Sequence, residues 1–570
     1  MRSEARRSSA TIESGTEMKR PWIASYGSTI PEEIDADSFP TLLHVFDAAV
    51  ARYPDHTAFV GIGGRLTYAE VDREARAFAA FLQGRLGVRK GDRIAVMLPN
   101  ILAFPIAMLG IIRAGAIQVN VNPMYTAREL EHQLQDAGAS VIVVYTGSTP
   151  TLAEVVGKTA IKHVISVTPG DSGNVPAVGP VMDARLHDAI AFAEALHVGK
   201  DLDFRPVDIE GSDVLFLQYT GGTTGLSKGA VLTHRNLVAN FQQFGAVIPQ
   251  ALRPGIERVV TALPLYHIFG LTVNLVSYFA IGATNWLVAN PRDIDGLVQT
   301  LKDARPTVFA GVNTLYAALL ANPGLGEVDF SELRLAAGGG ASILPVTSAG
   351  WQKVTGVIIH EGYGLSETSP VLSFNPAELT EFNATVGLPL PSTDIRLIDD
   401  DGAEVAIGQT GEICAKGPQV MPGYWRNPDA TAVAFTRDGY FRTGDIGQFN
   451  EAGFLRVVDR KKDMINVSGF NVYPNEVEAI ASACPGVAEC ACIGTQDIGD
   501  GEKVSLFVVR SAGSTLTEAE LVAHCRNELA AYKVPRLIHF VDALPKSTVG
   551  KILRRELRAV TVASKNQGSS

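Results

Sequence analysis

The chain has 570 residues, 46% of them hydrophobic and 19% charged, and a formal net charge of −11. This length exceeds one ordinary hydrophobic core, so we predict a globular protein with two or more domains. The negative charge argues against general binding of nucleic acid. The five cysteines are scattered, which indicates reduced, buried thiols in the cytoplasm rather than disulfides or a metal cluster.

Two segments of the sequence bear on targeting and membrane insertion. Residues 1–20 lack an apolar core, so we predict a disordered leader rather than a signal peptide. Between Arg258 and Arg292 there is no Asp, Glu, Lys or Arg, which is the length of a membrane-spanning helix. Pro264 and Asn274 interrupt this segment, so we predict a strand, a loop, a helix and a strand around an apolar pocket.

From about residue 90 the chain alternates β-rich segments with helical ones, such as "RIAVMLP" followed by the almost wholly apolar "FPIAMLGIIRAGA". This rhythm predicts parallel sheets covered by helices on both faces. After about residue 385 the pattern changes to β hairpins, as in "DIRLIDDDGAEV". A run of four charges at 460–463 precedes a compact α+β pattern, so we predict a domain boundary at residues 459–463.

The residues of the segment "YTGGTTGLSKGA", 219–230, suit a loop that holds a phosphate chain, with a flexible surface loop as the alternative. Its glycines let backbone N–H groups approach an anion, its hydroxyl residues add donors, and Lys228 adds a cation. It is not a Walker A loop, because Lys228 follows Ser227 rather than a glycine, which argues against a P-loop NTPase. The strand "DVLFLQ" precedes the loop and Thr233 is placed to cap a helix near His234, so we predict a strand–loop–helix unit.

Six further motifs follow in order: "LPLYHIFGL", "AAGGGAS", "EGYGLSETSP", "GYFRTGDIG", "VVDRKKDMINVSGFNVYPNEVE" and "PKSTVGK". With the glycine-rich segment, they resemble the adenylate-forming superfamily of acyl-CoA synthetases, peptide-synthetase adenylation domains and luciferases. They are most similar to bacterial long-chain fatty acid–CoA ligases. The resemblance implies that a fatty carboxylate attacks the α-phosphorus of ATP to give an acyl-adenylate and pyrophosphate. Coenzyme A then attacks the acyl carbon and expels AMP.

The resemblance also implies an α/β fold with three parts. A large N-terminal domain of parallel sheets plus a β-barrel-like part would span residues 21–458, and a hinge would span residues 459–462. A small, mobile α+β domain would span residues 463–570.

Site residues are carried over from the matching motifs. Glu367 and Thr223 would position Mg²⁺, and His267 would lie beside the substrate carboxylate. Tyr363 would contact adenine, and Asp445 and Arg460 would bind the ribose. The whole set implied for ATP and AMP is Thr220, Gly221, Gly222, Thr223, Thr224, Gly225, Lys228, Gly338, Gly339, Glu361, Gly362, Tyr363, Gly364, Ser366, Asp445, Val457 and Arg460.

The C-terminal motifs imply the remaining roles. Lys462 matches the hinge, and Lys551 matches a catalytic lysine that reaches the carboxylate and α-phosphate in the first step, alongside His267 and Glu367. Ser468, Gly469 and Phe470 match the pantetheine path of coenzyme A. Many relatives carry lysine where Asn466 and Ser468 stand, which puts one contact to the adenylate or coenzyme A in doubt.

Two alternatives stay open beside the ligase: an enzyme that loads acyl groups onto a carrier protein, and an inactive acyl-nucleotide-binding relative. The sequence also leaves a homodimer and a peripheral membrane contact open for this otherwise cytoplasmic protein. The basic cluster Arg554, Arg555 and Arg558 is interpreted first as a solvated charged face.

Overall fold

The computed structural model describes residues 20–171, 179–220, 226–467, 470–496, 502–547 and 552–558. Several predicted features lie outside these residues: most of the leader, residues 221–225 of the glycine-rich segment, Ser468, Gly469 and Lys551.

Within the described residues the chain forms 25 strands. In chain order they are β1 (Thr57–Gly61), β2 (Gly64–Thr67), β3 (Arg93–Met97), β4 (Ile117–Asn120), β5 (Val141–Tyr145), β6 (His163–Val167), β7 (Ile190–Ala191), β8 (Val214–Thr220), β9 (Lys228–Thr233), β10 (Arg258–Thr261), β11 (Thr284–Leu287), β12 (Val308–Gly311), β13 (Leu335–Gly338), β14 (Ile359–Gly364), β15 (Val371–Phe374), β16 (Leu388–Pro389), β17 (Asp394–Ile398), β18 (Thr410–Lys416), β19 (Phe441–Phe449), β20 (Leu455–Arg460), β21 (Ile465–Val467), β22 (Phe470–Val472), β23 (Val487–Gln496), β24 (Glu502–Arg510) and β25 (Leu537–Phe540).

The same residues form 14 α-helices. They are α1 (Leu42–Arg52), α2 (Tyr68–Gly84), α3 (Ala103–Arg113), α4 (Ala127–Ala137), α5 (Thr149–Val155), α6 (Phe192–Lys200), α7 (His234–Val247), α8 (Ser277–Phe279), α9 (Ile294–Ala304), α10 (Asn313–Ala321), α11 (Pro345–Thr355), α12 (Pro428–Ala434), α13 (Pro474–Ser482) and α14 (Glu518–Glu528). A π-helical segment, Gly270–Val276, runs directly into α8. Short 3₁₀ turns include Pro21–Tyr26 and Ser366–Thr368.

Two large sheets make up the N-terminal part. The seven-stranded sheet has the order β7-β6-β5-β3-β4-β8-β9, and its neighbours are parallel except for β8 and β9. The nine-stranded sheet has the order β16-β15-β14-β13-β12-β10-β11-β1-β2 and is parallel from β14 to β1. The predicted parallel α/β architecture is confirmed.

Helix α3 is formed by the almost wholly apolar segment that follows β3. Every one of its residues is buried, including Arg113 at its end. The Arg113 guanidinium donates to the carboxylates of Asp47 and Asp72, so the buried cation is paired. The interpretation of this segment as a helix packed between layers is confirmed.

The uncharged segment from Arg258 to Arg292 follows the predicted order of strand, loop, helix and strand, formed by β10, the π-helix with α8, and β11. Its interior is not purely apolar. Thr261 Oγ1 donates to Asn285 Oδ1 at 2.5 Å, and Asn274 Nδ2 donates to Thr261 Oγ1 at 3.3 Å. Among the residues described, no helix has both the length and the apolar character needed to cross a membrane.

Beyond residue 390 the architecture becomes mainly antiparallel. Strands β17 to β20 pair in sequence order, and within the described residues they form an open sheet rather than the closed wall of a barrel. The 3₁₀ turn Pro21–Tyr26 packs here, with Trp22 stacked on Phe449 at 5.3 Å between ring centroids.

The C-terminal domain is separate and has the predicted α+β character. Strands β21 and β22 form a hairpin, and β23, β24 and β25 form a sheet. Helices α13 and α14 supply Val477 and Leu521 to a core of their own, which also holds Cys492 and Leu506. All five cysteines are buried free thiols, as predicted. The limits at residues 21–458, 459–462 and 463–570 stay a prediction.

Candidate active site

The glycine-rich segment connects two antiparallel strands. Thr220 at the end of β8 lies opposite Lys228 at the start of β9. Thr233 caps α7 as predicted, since it accepts a hydrogen bond from the Asn236 N–H, but the predicted strand–loop–helix unit is wrong. Strand β9 intervenes because Ala230 and Leu232 are buried while its backbone pairs with β8.

Lys228, the cation of this segment, lies over an aromatic ring. Its exposed ammonium group is 5.3 Å from the centroid of the Tyr424 ring, within the range of a cation–π contact. The Tyr424 hydroxyl donates to Glu367 Oε1 at 2.8 Å. Tyr424 therefore links the glycine-rich segment to "GLSET", although it belongs to neither. Its only signal in the sequence is the aromatic pair that follows Gly423 in "PGYW".

Glu367 occupies the turn Ser366–Thr368 between β14 and β15, with Ser366 half-buried and Glu367 only 7% exposed. Burial raises the pKa of the Glu367 carboxyl. Among the described residues, no basic side chain forms an ion pair with it. A buried carboxylate without a cationic partner suits a hard divalent ion, so the donor chemistry fits the Mg²⁺ that the resemblance implies. The other expected ligand, Thr223, lies outside the described residues.

Three residues expected around the adenosine come together. The Tyr363 hydroxyl on β14 donates to Asp445 Oδ2 on β19 at 2.7 Å. Arg460, at the end of β20, places its Nε 3.6 Å from Asp445 Oδ1. Burial raises the pKa of Tyr363, so the phenol stays protonated and acts as a donor. Val457 lies half-buried on the same strand as Arg460.

Close packing of the protein itself accounts for three glycines of β13 and β14, Gly338, Gly362 and Gly364. A Cβ on Gly364 would lie 1.9 Å from the Pro370 carbonyl oxygen, and one on Gly362 would lie 2.5 Å from Phe374. A Cβ on Gly338 would lie 2.6 Å from Ile343, whereas Gly339 leaves slightly more room, at 3.2 Å from the nearest atoms. Roles of these glycines in nucleotide binding therefore stay predictions.

Glu361, also expected at the nucleotide, is a buried acid. Its Oε1 accepts a hydrogen bond from the Ile343 N–H at 3.2 Å, and burial raises its pKa to about 8. Glu361 is therefore largely neutral at pH 7, which removes the cost of burying a charge.

His267 lies half-buried in the loop between β10 and the π-helix. Its Nδ1 accepts a hydrogen bond from the Phe269 N–H at 3.3 Å, so in the neutral ring the proton is on Nε2. Two side-chain amides hold the loop, Gln218 on β8 of the seven-stranded sheet and Asn100 in the connection that follows β3. Asn100 Oδ1 accepts from the Leu265 N–H at 2.8 Å, and Gln218 Nε2 donates to the Tyr266 carbonyl at 3.1 Å. Sequence reasoning missed both amides.

The predicted hinge is rich in ionisable groups. Burial, with the nearby Arg460, lowers the pKa of Lys462 to about 8. Asp459 is fully buried, accepts from the Asn475 N–H at 2.8 Å, and has its pKa raised by burial to about 6. Arg554 lies 3.8 Å from this carboxylate.

The interpretation of Arg554, Arg555 and Arg558 as one solvated face is wrong. Arg554 Nη2 donates to both Glu478 carboxylate oxygens at 2.8 Å, and Arg558 donates to Asp463 Oδ1 at 2.9 Å. Only Arg555 of the three is exposed. The pairing follows from carboxylates that the tertiary fold brings around the two guanidinium groups.

Phe470 is the one described residue of the expected coenzyme A path. It is 57% exposed and stacks on Tyr532 at 4.9 Å between ring centroids. An exposed ring supported by a second ring is available to a ligand, but its partners in the prediction, Ser468 and Gly469, are outside the described residues.

Comparisons with known proteins agree with these motifs. The sequence profile of the AMP-binding enzyme matches residues 46–425, and that of the AMP-binding enzyme C-terminal domain matches residues 476–551. The chain is 50% identical over 553 residues to the long-chain-fatty-acid–CoA ligase of Escherichia coli O6:H1, covering 95% of this chain and 98% of the relative. It is 44% identical to the enzyme of the same name from Haemophilus influenzae, covering 96% of this chain and 100% of the relative.

Solved structures share the fold. Anthranilate CoA ligase AuaEII in complex with anthranoyl-AMP superposes with a TM-score of 0.84 at 26% identity, covering 94% of this chain and 100% of the other. ATP-bound MatB from Rhodopseudomonas palustris superposes with a TM-score of 0.81 at 31% identity, covering 91% and 99%. The chain therefore belongs to the AMP-binding enzyme family.

Proposed function

We propose that the protein is an AMP-forming long-chain fatty acid–CoA ligase. The observation that carries the proposal is the position of Glu367. Its carboxylate is joined through Tyr424 to Lys228, and Asp445 and Arg460 lie near enough to shift its pKa. Groups suited to a triphosphate, a divalent ion and a ribose thus converge around one buried acid. The identity to the long-chain ligases over nearly the whole chain supplies the substrate class.

In the first step, an oxygen of the fatty carboxylate bonds to the α-phosphorus of ATP, and the bond from that phosphorus to pyrophosphate breaks. Lys228 and the glycine-rich segment would hold the β- and γ-phosphates, and Asp445 would accept from ribose hydroxyls. The Nε2–H of His267 would donate to the carboxylate or the acyl-phosphate oxygen. Fixed donors of this kind stabilise charge that develops in the transition state. Glu367 and Thr223 would hold Mg²⁺, which neutralises triphosphate charge when bound.

In the second step, the thiolate of coenzyme A bonds to the acyl carbon, and the bond from that carbon to the AMP oxygen breaks. Lys551 belongs to the first step and Ser468, Gly469 and Phe470 to the second. These residues stand at opposite ends of the small domain in sequence. A swing about Lys462 would present them to the adenylate in turn.

Pyrophosphate release and thioester formation, measured over a panel of acids, test the proposal. We expect kcat/KM for palmitate and oleate to exceed that for acetate and propionate, because each buried methylene contributes about 0.8 kcal/mol. Higher kcat/KM for the short acids would overturn the substrate class. Adenylate that forms but is not converted by coenzyme A would favour the carrier-loading alternative, and no acid-dependent pyrophosphate would favour an inactive binding protein.

Peripheral membrane contact and a homodimer stay predictions with separate tests. Sedimentation with anionic vesicles checks the first, and light scattering of the purified chain checks the second. Arg554 and Arg558 are occupied by carboxylates, so we expect the membrane contact to depend on other residues.

A further inference from the structure

The Tyr424 side chain contacts both Lys228 and Glu367. Its hydroxyl donates to Glu367 Oε1 at 2.8 Å, and its ring lies 5.3 Å from the Lys228 ammonium. The hydroxyl fixes the rotation of a buried carboxylate, and the ring attracts a cation to the same place.

The backbone on both sides of Tyr424 is held by the same two motifs. The Trp425 N–H donates to the Gly229 carbonyl at 2.8 Å, at the exit of the glycine-rich segment. The Met421 N–H donates to the Glu367 carbonyl at 2.8 Å. Residues 421–425 therefore tie the strand that carries Lys228 to the turn that carries Glu367.

Helix α12 also fixes the backbone of residues 423 and 424. The Tyr424 N–H donates to Thr431 Oγ1 at 2.9 Å, on α12. Gly423 adopts a φ of +158°, and a Cβ there would lie 2.7 Å from Thr431. The glycine is needed because α12 approaches the backbone closely, and this approach sets where the Tyr424 ring points.

We propose that Tyr424 is a positioning residue that couples Lys228 to Glu367. The two residues would then be held in their binding positions before the metal-bound triphosphate arrives. The inference rests on the proposed function only in taking Glu367 to face the metal ion and Lys228 to face the phosphates. Tyr424 touches neither the carboxylic acid substrate nor coenzyme A in this assignment. It acts through Glu367.

The test is calorimetric binding of ATP to Tyr424→Phe, with Mg²⁺ or with EDTA. The substitution removes only the hydroxyl, so we expect about 10-fold weaker binding of Mg·ATP, the effect of losing one hydrogen bond to a charged group. Binding of metal-free ATP should change less than about twofold, because the ring still faces Lys228. Equal weakening under both conditions, or no weakening with Mg²⁺, would overturn the proposal.

A double-mutant cycle with Glu367→Gln separates coupling from a general disturbance. If Tyr424 acts through Glu367, adding Tyr424→Phe to Glu367→Gln should weaken Mg·ATP binding no further. Losses that multiply would show that the tyrosine acts independently of this carboxylate, against the proposal.

Tyr440→Phe is the matched control. The Tyr440 hydroxyl donates to Asp394 Oδ2 at 2.7 Å, and the Arg396 guanidinium carbon lies 4.1 Å from the centroid of the Tyr440 ring. Tyr440 therefore has the same kinds of contact as Tyr424, with residues of the four-stranded sheet. Its Mg·ATP affinity should match the unmodified chain, and a loss equal to that of Tyr424→Phe would contradict a specific role. The binding assay needs no fatty acid, so it stands even where long-chain activity fails.

Discussion

The ion network behind the predicted hinge gives a prediction whose size follows from the geometry. Arg554 has only 16% of its side chain exposed and faces three acids, Glu478 at 2.8 Å, Asp463 at 3.7 Å and Asp459 at 3.8 Å. Arg554→Met keeps much of the side-chain volume and removes the charge. The substitution leaves Glu478 and Asp459 without the cation that faces them, whereas Asp463 keeps its contact with Arg558 at 2.9 Å.

Removing one partner of a buried ion pair costs about 3–5 kcal/mol. We expect the lower end here, about 3 kcal/mol, because Asp459 already has its pKa raised by burial to about 6 and takes up a proton readily. This corresponds to about a 100-fold increase in the opening equilibrium of the C-terminal domain.

Hydrogen exchange followed by mass spectrometry suits the measurement. All four tryptophans precede residue 459, so their fluorescence does not report on this domain. Amides of α13 and β24 should exchange about 100-fold faster in Arg554→Met, provided that exchange proceeds by domain opening. The exposed neighbour Arg555 supplies the control, and Arg555→Met should leave exchange unchanged. Indistinguishable exchange in the two variants would refute the reasoning.

Four further predictions concern chemistry and stability. Glu367→Ala should lower pyrophosphate release at millimolar Mg²⁺ by a factor on the order of 10²–10³, by analogy with losing an electrostatic group, and near-normal release would remove Glu367 from the metal site. Deletion of residues 2–18 should leave activity and Tm unchanged, since this leader has too few apolar residues to offset its ordering entropy; a large fall in either contradicts this. Lys551→Ala should slow adenylation by a factor on the order of 10²–10³ yet spare thioester formation from supplied acyl-AMP, while Gly469→Trp should do the reverse; equal slowing of both steps by Lys551→Ala would count against alternating faces. Glu361 has its pKa raised to about 8 by burial, so its contribution to stability is present below about pH 4 and is lost as pH rises through 8; in urea unfolding, the stability of Glu361→Gln relative to the unmodified chain should therefore rise across that window, and a constant difference would contradict it.

Local sequence pattern was enough for several elements. The apolar run of α3 left no polar face to expose, so a buried helix was its only stable placement. Pro264 and Asn274 likewise interrupt the uncharged segment, which argued against one membrane-spanning helix and for two strands, observed as β10 and β11. Thr233 capped α7 because its hydroxyl is two to three residues from unpaired N–H groups whatever precedes it.

Elements that depend on distant partners could not be predicted in this way. Strand β9 is six residues long and begins within the glycine-rich segment, at Lys228. Its pairing with β8 and with residues 423–425 becomes visible only in three dimensions. The arginines near the C-terminus show the same limit. Their sequence neighbours are polar, yet Glu478, 76 residues earlier, decides that Arg554 is paired.

The candidate site divides in the same way. The motifs predicted that Tyr363, Asp445 and Arg460 surround the adenosine, and the structure brings these three side chains together. The motifs did not predict the side chains that hold the candidate site residues in position. Asn100 and Gln218 contact the His267 loop from the connection after β3 and from β8, and no periodicity in the sequence marks an amide as facing a distant backbone.

Two tyrosine–carboxylate pairs, Tyr363 with Asp445 and Tyr424 with Glu367, give the site a common logic. Each acid is at most 7% exposed, so each needs a donor to offset its lost hydration before any ligand arrives. At Glu367 the neutral phenol supplies that donor without cancelling the charge, whereas Asp445 also has the Arg460 guanidinium beside it, with Nε 3.6 Å from Oδ1. Each carboxylate has acceptor capacity for more than one donor, so a ribose hydroxyl at Asp445 or a metal ion at Glu367 would add to the tyrosine rather than replace it. In the proposed ligase, the same hydroxyls that offset the burial of these acids would therefore also keep them oriented for the nucleotide.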